Sequence, residues 1–194
     1  AVAEKAAKTF EELGATVENV DFNPSDYEEV FWSFFDYFAI KGLGNNVDDA
    51  NNNRDQLTDY FGDVVDYAAT LPATRMWEIL GNIGWYRNYV NEFFGGYDLL
   101  LSPTLAVPAF KIGEQPESIG GREVPHKLWG FTPFTYLFNL TGNPAASTPA
   151  GFSSDGLPIG LQIIGDMKDE TTILAASAAF EEARPWADKR PPVS

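Results

Sequence analysis

A chain of 194 residues with a single histidine, His126, and no cysteine has few side chains able to attack, abstract or ligate. His126 has the chemistry of a general base, with Ser102 or Ser118 as the hydroxyl it would activate. It lies in a stretch of Gly, Pro and charge, where a plain exposed imidazole is the simpler expectation. The lack of cysteine excludes disulfides, thiol nucleophiles and thiolate metal sites. One histidine cannot build a His-based metal site alone, so neither metal nor cofactor is expected. Gly151-Phe152-Ser153-Ser154-Asp155-Gly156 has the wrong spacing for a nucleophile elbow. No Ser/Thr-x-x-Lys pair and no P-loop is present, and Gly42-Leu43-Gly44 lacks the third glycine of a dinucleotide fingerprint. Glu181 and Glu182 could mimic an acid pair, but adjacent helical positions point apart.

The whole-chain balance narrows the classes further. Asp and Glu number 28 against 13 Lys and Arg, a formal charge of −15. Such a field repels nucleic acid and anionic membrane surfaces, so neither is an expected partner. The 15 Phe, 8 Tyr and 5 Trp argue for a packed core. No apolar run has the length of a membrane span and no signal peptide opens the chain, so a cytoplasmic location is expected. The first residue is Ala1, inside what reads as a helix with no N-cap before it. The expectation is a piece cut from something longer, residues 1–194 forming a single domain.

Elements must then position whatever chemistry exists. Val2, Ala6, Phe10 and Leu13 fall on one helical face, and Gly14 is a plausible C-cap. Residues 15–22 read as a short strand, completing the back half of a βαβ unit. Asn23 or Ser25 would cap an aromatic helix over 26–41, its rings either buried on several sides or offered to a partner. "GLGNNVDDANNNRDQ" reads as a loop. Helices are expected over about 57–69 and, despite Gly81 and Gly84, from about 73 to Gly95-Gly96. Leu99–Leu101 form an apolar run suited to a strand covered on both faces, as in a parallel sheet. Residues 111–128 read as loop, and Thr132-Pro133 as the start of a helix over 133–140.

The densest turn chemistry lies in "NLTGNPAASTPAGFSSDGLPIGLQIIG", residues 139–165. "AASTPAGF" reads as a strand in which Pro149 marks an edge or kink. "SSDG" is hairpin-turn chemistry. Leu157, Ile159, Leu161 and Ile163 fall on one face, and Gly160 and Gln162 on the other, where Gly160 admits a close neighbour. Ile173, Ala176, Phe180 and Ala183 make a helical stripe within 169–184, stopped by Pro185. This segment shapes a wall and supplies no reacting groups.

"YDLLLSPTLAVPAF", "FTPFTYLFNLTGNPAASTPAGFSSDGLPIGLQIIG" and "DETTILAASAAFEEARPWADKRPP" together resemble the C-terminal portion of an amidase signature family hydrolase, and "AVAEKAAKTFEELGATVENVDF" resembles that family's helix and strand after the signature region. The resemblance implies an α/β fold, an α/β/α sandwich around a mixed sheet, hydrolysing carboxylic amides without metal or cofactor. It implies a serine nucleophile, a second serine on a cis peptide, a buried lysine and a glycine-serine loop for the oxyanion, all in the N-terminal half. No segment here matches those parts, so no catalytic residue is carried over. The resemblance places Trp129, Phe131, Thr132, Phe134, Thr135 and Phe138 along the acyl side of the substrate pocket, implying an apolar or aromatic acyl group. Phe134 and Phe138, one turn apart, are more simply read as core. Gly142, Asn143 and Pro144 would shape the cavity floor through their backbone. The implied partners are a small-molecule amide, the N-terminal half of the same protein and a second copy in a homo-oligomer. The alternative is a non-catalytic subunit that binds a partner through the aromatic helix.

Overall fold

The computed structural model describes residues 2–43 and 46–189; Ala1 and Gly44, on which the cut start and the glycine motif fall, lie outside the described residues. In chain order the elements are helices α1 (Val2–Ala7), α2 (Thr9–Glu12), α3 (Tyr27–Leu43) and α4 (Val47–Asn52), a 3-10 turn (Arg54–Gln56), α5 (Asp59–Thr70) and α6 (Ala73–Phe94). Strands β1 (Leu99–Pro103), β2 (Ser118–Ile119) and β3 (Arg122–Glu123), helix α7 (Tyr136–Thr141), strands β4 (Ala145–Phe152) and β5 (Pro158–Gly165), and helix α8 (Glu170–Ala183) follow. The described residues form two compact units, one from 2–22, 91–109 and 142–189, the other from 23–90 and 110–141. No described helix is long and apolar enough to cross a membrane.

The first unit is built on a three-stranded sheet of order β1-β5-β4. Both pairings are antiparallel, with Leu101 opposite Ile163 and Ala146 opposite Ile163 on the other side. The expected parallel neighbour for Leu99–Leu101 is therefore corrected: its apolar run faces cover on an antiparallel strand. Pro149 sits on the edge strand, and the ladder slips between Pro149 and Gly151. The residue left out of the ladder is Ala150, directly after a proline that has no N–H to offer. Leu161 and Ile163 point into a cluster with Ala3, Ala6, Phe10, Ile173 and Phe180, against which Leu99 and Leu101 pack. Phe10 and Phe180 stack at 5.6 Å. Asp169 caps α8, its carboxylate accepting from the Thr172 N–H at 3.2 Å and the Thr172 hydroxyl at 2.6 Å.

Two expectations in this unit change, while the Gly14 ending stands. The opening helix breaks at Lys8, where the Glu11 N–H turns back to the Lys8 carbonyl at 3.1 Å. It ends at Gly14, φ +93°, with the Ala15 N–H on Phe10 and the Gly14 N–H on Glu11, a Schellman ending. Residues 15–22 are not a strand: among the described residues they have no ladder partner, and Val17 finds cover against the sheet cluster instead.

The second unit packs α3 against α5 and α7. Asp26 opens α3, its side chain accepting from the Glu28 N–H at 2.9 Å, so neither Asn23 nor Ser25 is the cap. The expected loop after α3 holds α4 and the 3-10 turn, fixed by Arg54, which reaches the Asn51 side chain, the Gly62 carbonyl and Asp66. Gly120 and Gly121, both at positive φ, join β2 to β3 in a two-residue hairpin inside the expected 111–128 loop. Helix α7 begins at Tyr136 rather than Pro133, because the hydroxyl of Thr132 donates back to Trp129 and that of Thr135 to Thr132, closing two turns first.

One buried ion pair crosses this unit. Asp36 of α3, its side chain 3% exposed, accepts from Arg75 Nε of α6 at 2.6 Å and from the Tyr67 hydroxyl of α5 at 2.7 Å. Burial first, then the Asp36 carboxylate, holds the Tyr67 hydroxyl well above the ordinary tyrosine range. Arg75→Met leaves Asp36 as a buried charge without its cation and is expected to cost about 3 kcal/mol, the low end for broken buried pairs because Arg75 keeps some solvent. Urea unfolding of the second unit, followed by tryptophan fluorescence, measures it.

Candidate functional site

Gly130 is the pivot of the region where the predicted pocket residues lie. A Cβ there would stand 2.3 Å from Val124 Cγ1 and 2.7 Å from the His126 carbonyl oxygen, so only glycine fits. Its N–H donates to His126 at 2.8 Å and its carbonyl accepts the Tyr27 hydroxyl at 2.7 Å. The backbone is thereby pinned between Trp129 and Phe131.

Trp129 meets α3 edge-on, 4.3 Å from Phe38 and 5.3 Å from Phe34, with Phe35 at 6.3 Å. Phe131 turns away and packs edge-on to Phe110 at 4.9 Å. Tyr136 stacks on Phe34 at 5.5 Å and meets Phe31 edge-on at 5.7 Å. Its hydroxyl is buried without a well-aligned partner, because Tyr27 directs its own proton to Gly130. Burial, then the neighbouring Tyr27, keeps the Tyr136 hydroxyl protonated far above the usual range. The rings of α3 are mainly turned inward, Phe31 and Phe35 being essentially inaccessible, so burial and not a free contact surface accounts for most of that helix.

Each residue expected along the pocket has a defined place. Trp129, Phe131, Thr132, Phe134 and Thr135 are half-buried, while Phe138 is buried. The hydroxyls of Thr132 and Thr135 donate to the carbonyls of Trp129 and Thr132 at 2.8 and 3.0 Å, leaving lone pairs but no donor for a ligand. Gly142, φ +86°, starts the turn expected to shape the floor. Asn143 is buried, and its amide donates to the Gly165 carbonyl at 3.0 Å while its own oxygen is unpartnered. The Pro144 carbonyl accepts the Gly165 N–H at 3.1 Å, so this turn is clasped to the end of β5.

His126 lies 4.5 Å from the Phe35 ring, and its Nδ1 accepts the Leu128 N–H at 3.1 Å. Burial pushes the imidazole below its ordinary value, against a smaller opposing pull from Asp63. Ser118 is exposed on β2 and Ser102 belongs to the other unit. Ser102 Oγ donates to the Pro103 carbonyl and accepts from Gln162 Nε2 at 3.0 Å. Next to it Thr104 Oγ1 and Ser147 Oγ bond each other at 2.7 Å. A Cβ on Gly160 would stand 2.6 and 2.7 Å from those two oxygens. These hydroxyls come from separate strands and loops, so only the register of the sheet reveals the row; Gly160 was its one signal in the sequence. Among the described residues no Ser or Thr hydroxyl hydrogen bond reaches a Lys or His nitrogen, and no group of three or more His, Asp or Glu converges as for a metal ion.

Comparison with known proteins agrees with the fold. The profile of the family described as Amidase matches residues 1–174. An acylamidase of Rhodococcus erythropolis is 33% identical over 98% of this chain, and a glutamyl-tRNA(Gln) amidotransferase subunit of Lactiplantibacillus plantarum is 33% identical over 94%. The chain spans 40% of the length of each. A bacterial aryl acylamidase of the amidase signature family superimposes with a TM-score of 0.84 at 33% identity, covering 98% of this chain and 42% of that one. 6-Aminohexanoate cyclic dimer hydrolase gives 0.75 at 27% identity, with the same coverage.

The half-buried imidazole sets an acid limit on stability. Its folded pKa lies below the unfolded value, so the unfolded chain takes up the proton first as pH falls below about 6.5. Stability is full above that pH and declines beneath it. His126→Asn, whose side-chain oxygen can accept the Leu128 N–H, is expected to flatten that part of the curve when urea midpoints are compared from about pH 5 to 8. Gly130→Ala is expected to lower stability by about 1–3 kcal/mol through overpacking, read as a fall in melting temperature with a shift in Trp129 emission.

Proposed function

The chain belongs to the amidase family, and on that premise we propose that the complete protein hydrolyses the C–N bond of carboxylic amides, with this chain as scaffold and as one wall of the substrate pocket. The groups that attack the carbonyl stand outside residues 1–194. The observation that carries this division is the fate of the hydroxyls. A serine becomes a nucleophile when a base takes its proton. Ser102, Thr104 and Ser147 instead bond carbonyl, amide and each other. The sheet is open along the outer edges of β1 and β4 among the described residues. The apolar run of β1 makes its edge the place for a strand from the rest of the protein, covering backbone groups that would otherwise recruit another chain.

Trp129 and Phe131 would meet an apolar or aromatic acyl group, with Thr132 and Thr135 offering hydroxyl lone pairs beside it. Phe134 is a further ring of that wall, and Phe138 supports it from the core. Trp129 is the hub of the packing with α3, so its truncation mixes folding with binding. Phe131 has one ring contact among the described residues, with Phe110, and gives the cleaner test.

In the complete protein, Phe131→Ala is expected to raise KM for bulky aryl amides about tenfold, the worth of a lost apolar contact, with melting temperature and activity on small amides retained. An unchanged KM removes Phe131 from the pocket. A fluorophosphonate should label a serine of the complete protein, and peptide mapping should place it outside residues 1–194. A label on any serine of this chain would end the proposed division of labour.

A further inference from the structure

Residues 126–130 close a turn from which the expected pocket wall hangs. The Gly130 N–H donates to the His126 carbonyl at 2.8 Å, and the Leu128 N–H donates to His126 Nδ1 at 3.1 Å. One residue thus receives two N–H groups of the turn, one on its main chain and one on its ring. The Trp129 carbonyl then accepts both the N–H and the hydroxyl of Thr132, at 2.9 and 2.8 Å. The Thr132 carbonyl does the same for Thr135, at 3.2 and 3.0 Å. Trp129, Phe131, Thr132 and Thr135 therefore take their places from the turn.

We propose that His126 is a positioning residue for this wall: its neutral imidazole clasps the 126–130 turn, and a bulky acyl group binds best while the clasp is closed. The proposal rests on the pocket reading above. An accepting Nδ1 puts the one proton of the neutral ring on Nε2. A second proton has only Nδ1 to occupy, where it would stand donor against donor with the Leu128 N–H. That bond is then lost. The turn keeps its main-chain closure and the Tyr27 hydroxyl on Gly130, neither of which titrates near neutrality.

The surroundings keep the clasp closed at neutral pH and let acid open it. Burial beside Phe35 holds the imidazole below its ordinary value, so the ring is neutral above about pH 6.5 and charges only beneath it. Asp63 of α5 pulls the other way, less strongly. Asp36 of α3 is already taken by Arg75 at 2.6 Å and by the Tyr67 hydroxyl. Arg122 and Glu123 of β3, and Lys127 of the turn itself, are exposed to solvent.

Two variants of the complete protein separate the ring's bond from its bulk. His126→Asn keeps an acceptor that does not titrate; His126→Leu keeps an apolar side chain and no acceptor. The kinetic readout is the KM of a bulky aryl amide divided by that of a small amide, neither of them titratable, so that effects on the reacting groups cancel. His126→Leu should raise this ratio about fivefold near pH 8, the equilibrium worth of one net hydrogen bond. The unsubstituted protein should approach the same ratio near pH 5, and His126→Asn should keep the low ratio throughout. Hydrogen exchange of the peptide holding Leu128 and Gly130, corrected for intrinsic rate, should lose protection wherever the ratio rises. The inference is overturned if His126→Leu changes neither readout, or if the ratio of the unsubstituted protein stays flat to about pH 5. It is overturned if Asn and Leu behave alike, because the ring would then matter only for packing. Lost protection with an unchanged ratio overturns it where Phe131→Ala raises KM. Where Phe131→Ala leaves KM unchanged, the pocket reading itself has failed and the positioning role falls with it.

Discussion

Strand β5 has to satisfy two neighbours and two faces at once. It is the central strand of its sheet, and Leu161 to Ile164 are all buried. Side chains alternate along a strand, so covering it on both sides forces a choice for every residue. Leu161 and Ile163 enter the cluster with α1 and α8, and each contributes about 1.5–3 kcal/mol by burial. Gln162 is buried on the opposite face and would be costly without partners, which is why Ser102 stands beside it. Gly165 completes the constraint: a Cβ there would come within 2.9 Å of Ile173 Cγ1, so α8 could not seat. The apolar residues supply most of the energy, while the hydrogen bonds, worth about 1 kcal/mol each net, fix the register. A slip by one residue would put Gln162 into the cluster and Ile163 out of it.

The second unit reaches a defined arrangement by other means. Its core is aromatic, and ring contacts at 4.3 to 6.3 Å tolerate several geometries. Directional bonds remove that freedom. The Tyr27 hydroxyl on the Gly130 carbonyl fixes the turn that carries Trp129, and Asp36 with Tyr67 and Arg75 fixes α3 against α5 and α6. The arrangement of the candidate pocket wall therefore depends on a glycine and a tyrosine outside the set of expected pocket residues.

How much could be read from residues alone follows from where the deciding information lies. Helices α3, α5, α6 and α8 and the β4–β5 hairpin are legible because periodicity, caps and turn residues all sit within each segment. The Gly120-Gly121 hairpin was equally local, yet its strands are too short to show alternation. Residues 15–22 had the pattern of a strand, but a strand exists only with a ladder partner, and partners are not written in the segment itself. The direction of β1 was misjudged for the same reason, since an unbroken apolar run reports burial on two faces and not the sense of its neighbour. Helix α7 starts late because the Thr132 and Thr135 hydroxyls satisfy nearby carbonyls in a non-helical way, a competition that cap preferences do not resolve. At the site, the aromatic character of 129–138 was legible. The partners from α3 and the hydroxyls that β5 brings together from β1, the residue after it and β4 were not, because Ser102 and Thr104 lie more than forty residues from Ser147.

The two aromatic helices show why composition alone cannot assign a role. Helices α3 and α6 both carry large rings around much of their circumference. Helix α3 lies among α5, α7 and the turn through Gly130, so its Phe31 and Phe35 vanish from the surface. Helix α6 sends Ile79, Ile83, Tyr86 and Val90 inward and leaves Trp77 and Trp85 in water. What separates them is glycine. In α6, Gly81 and Gly84 face open space on the outward side, where no backbone of the unit approaches them. A glycine inside a helix costs about 1 kcal/mol relative to alanine. In Gly130 and Gly165 the same absence of a side chain admits a neighbour that is present in the chain.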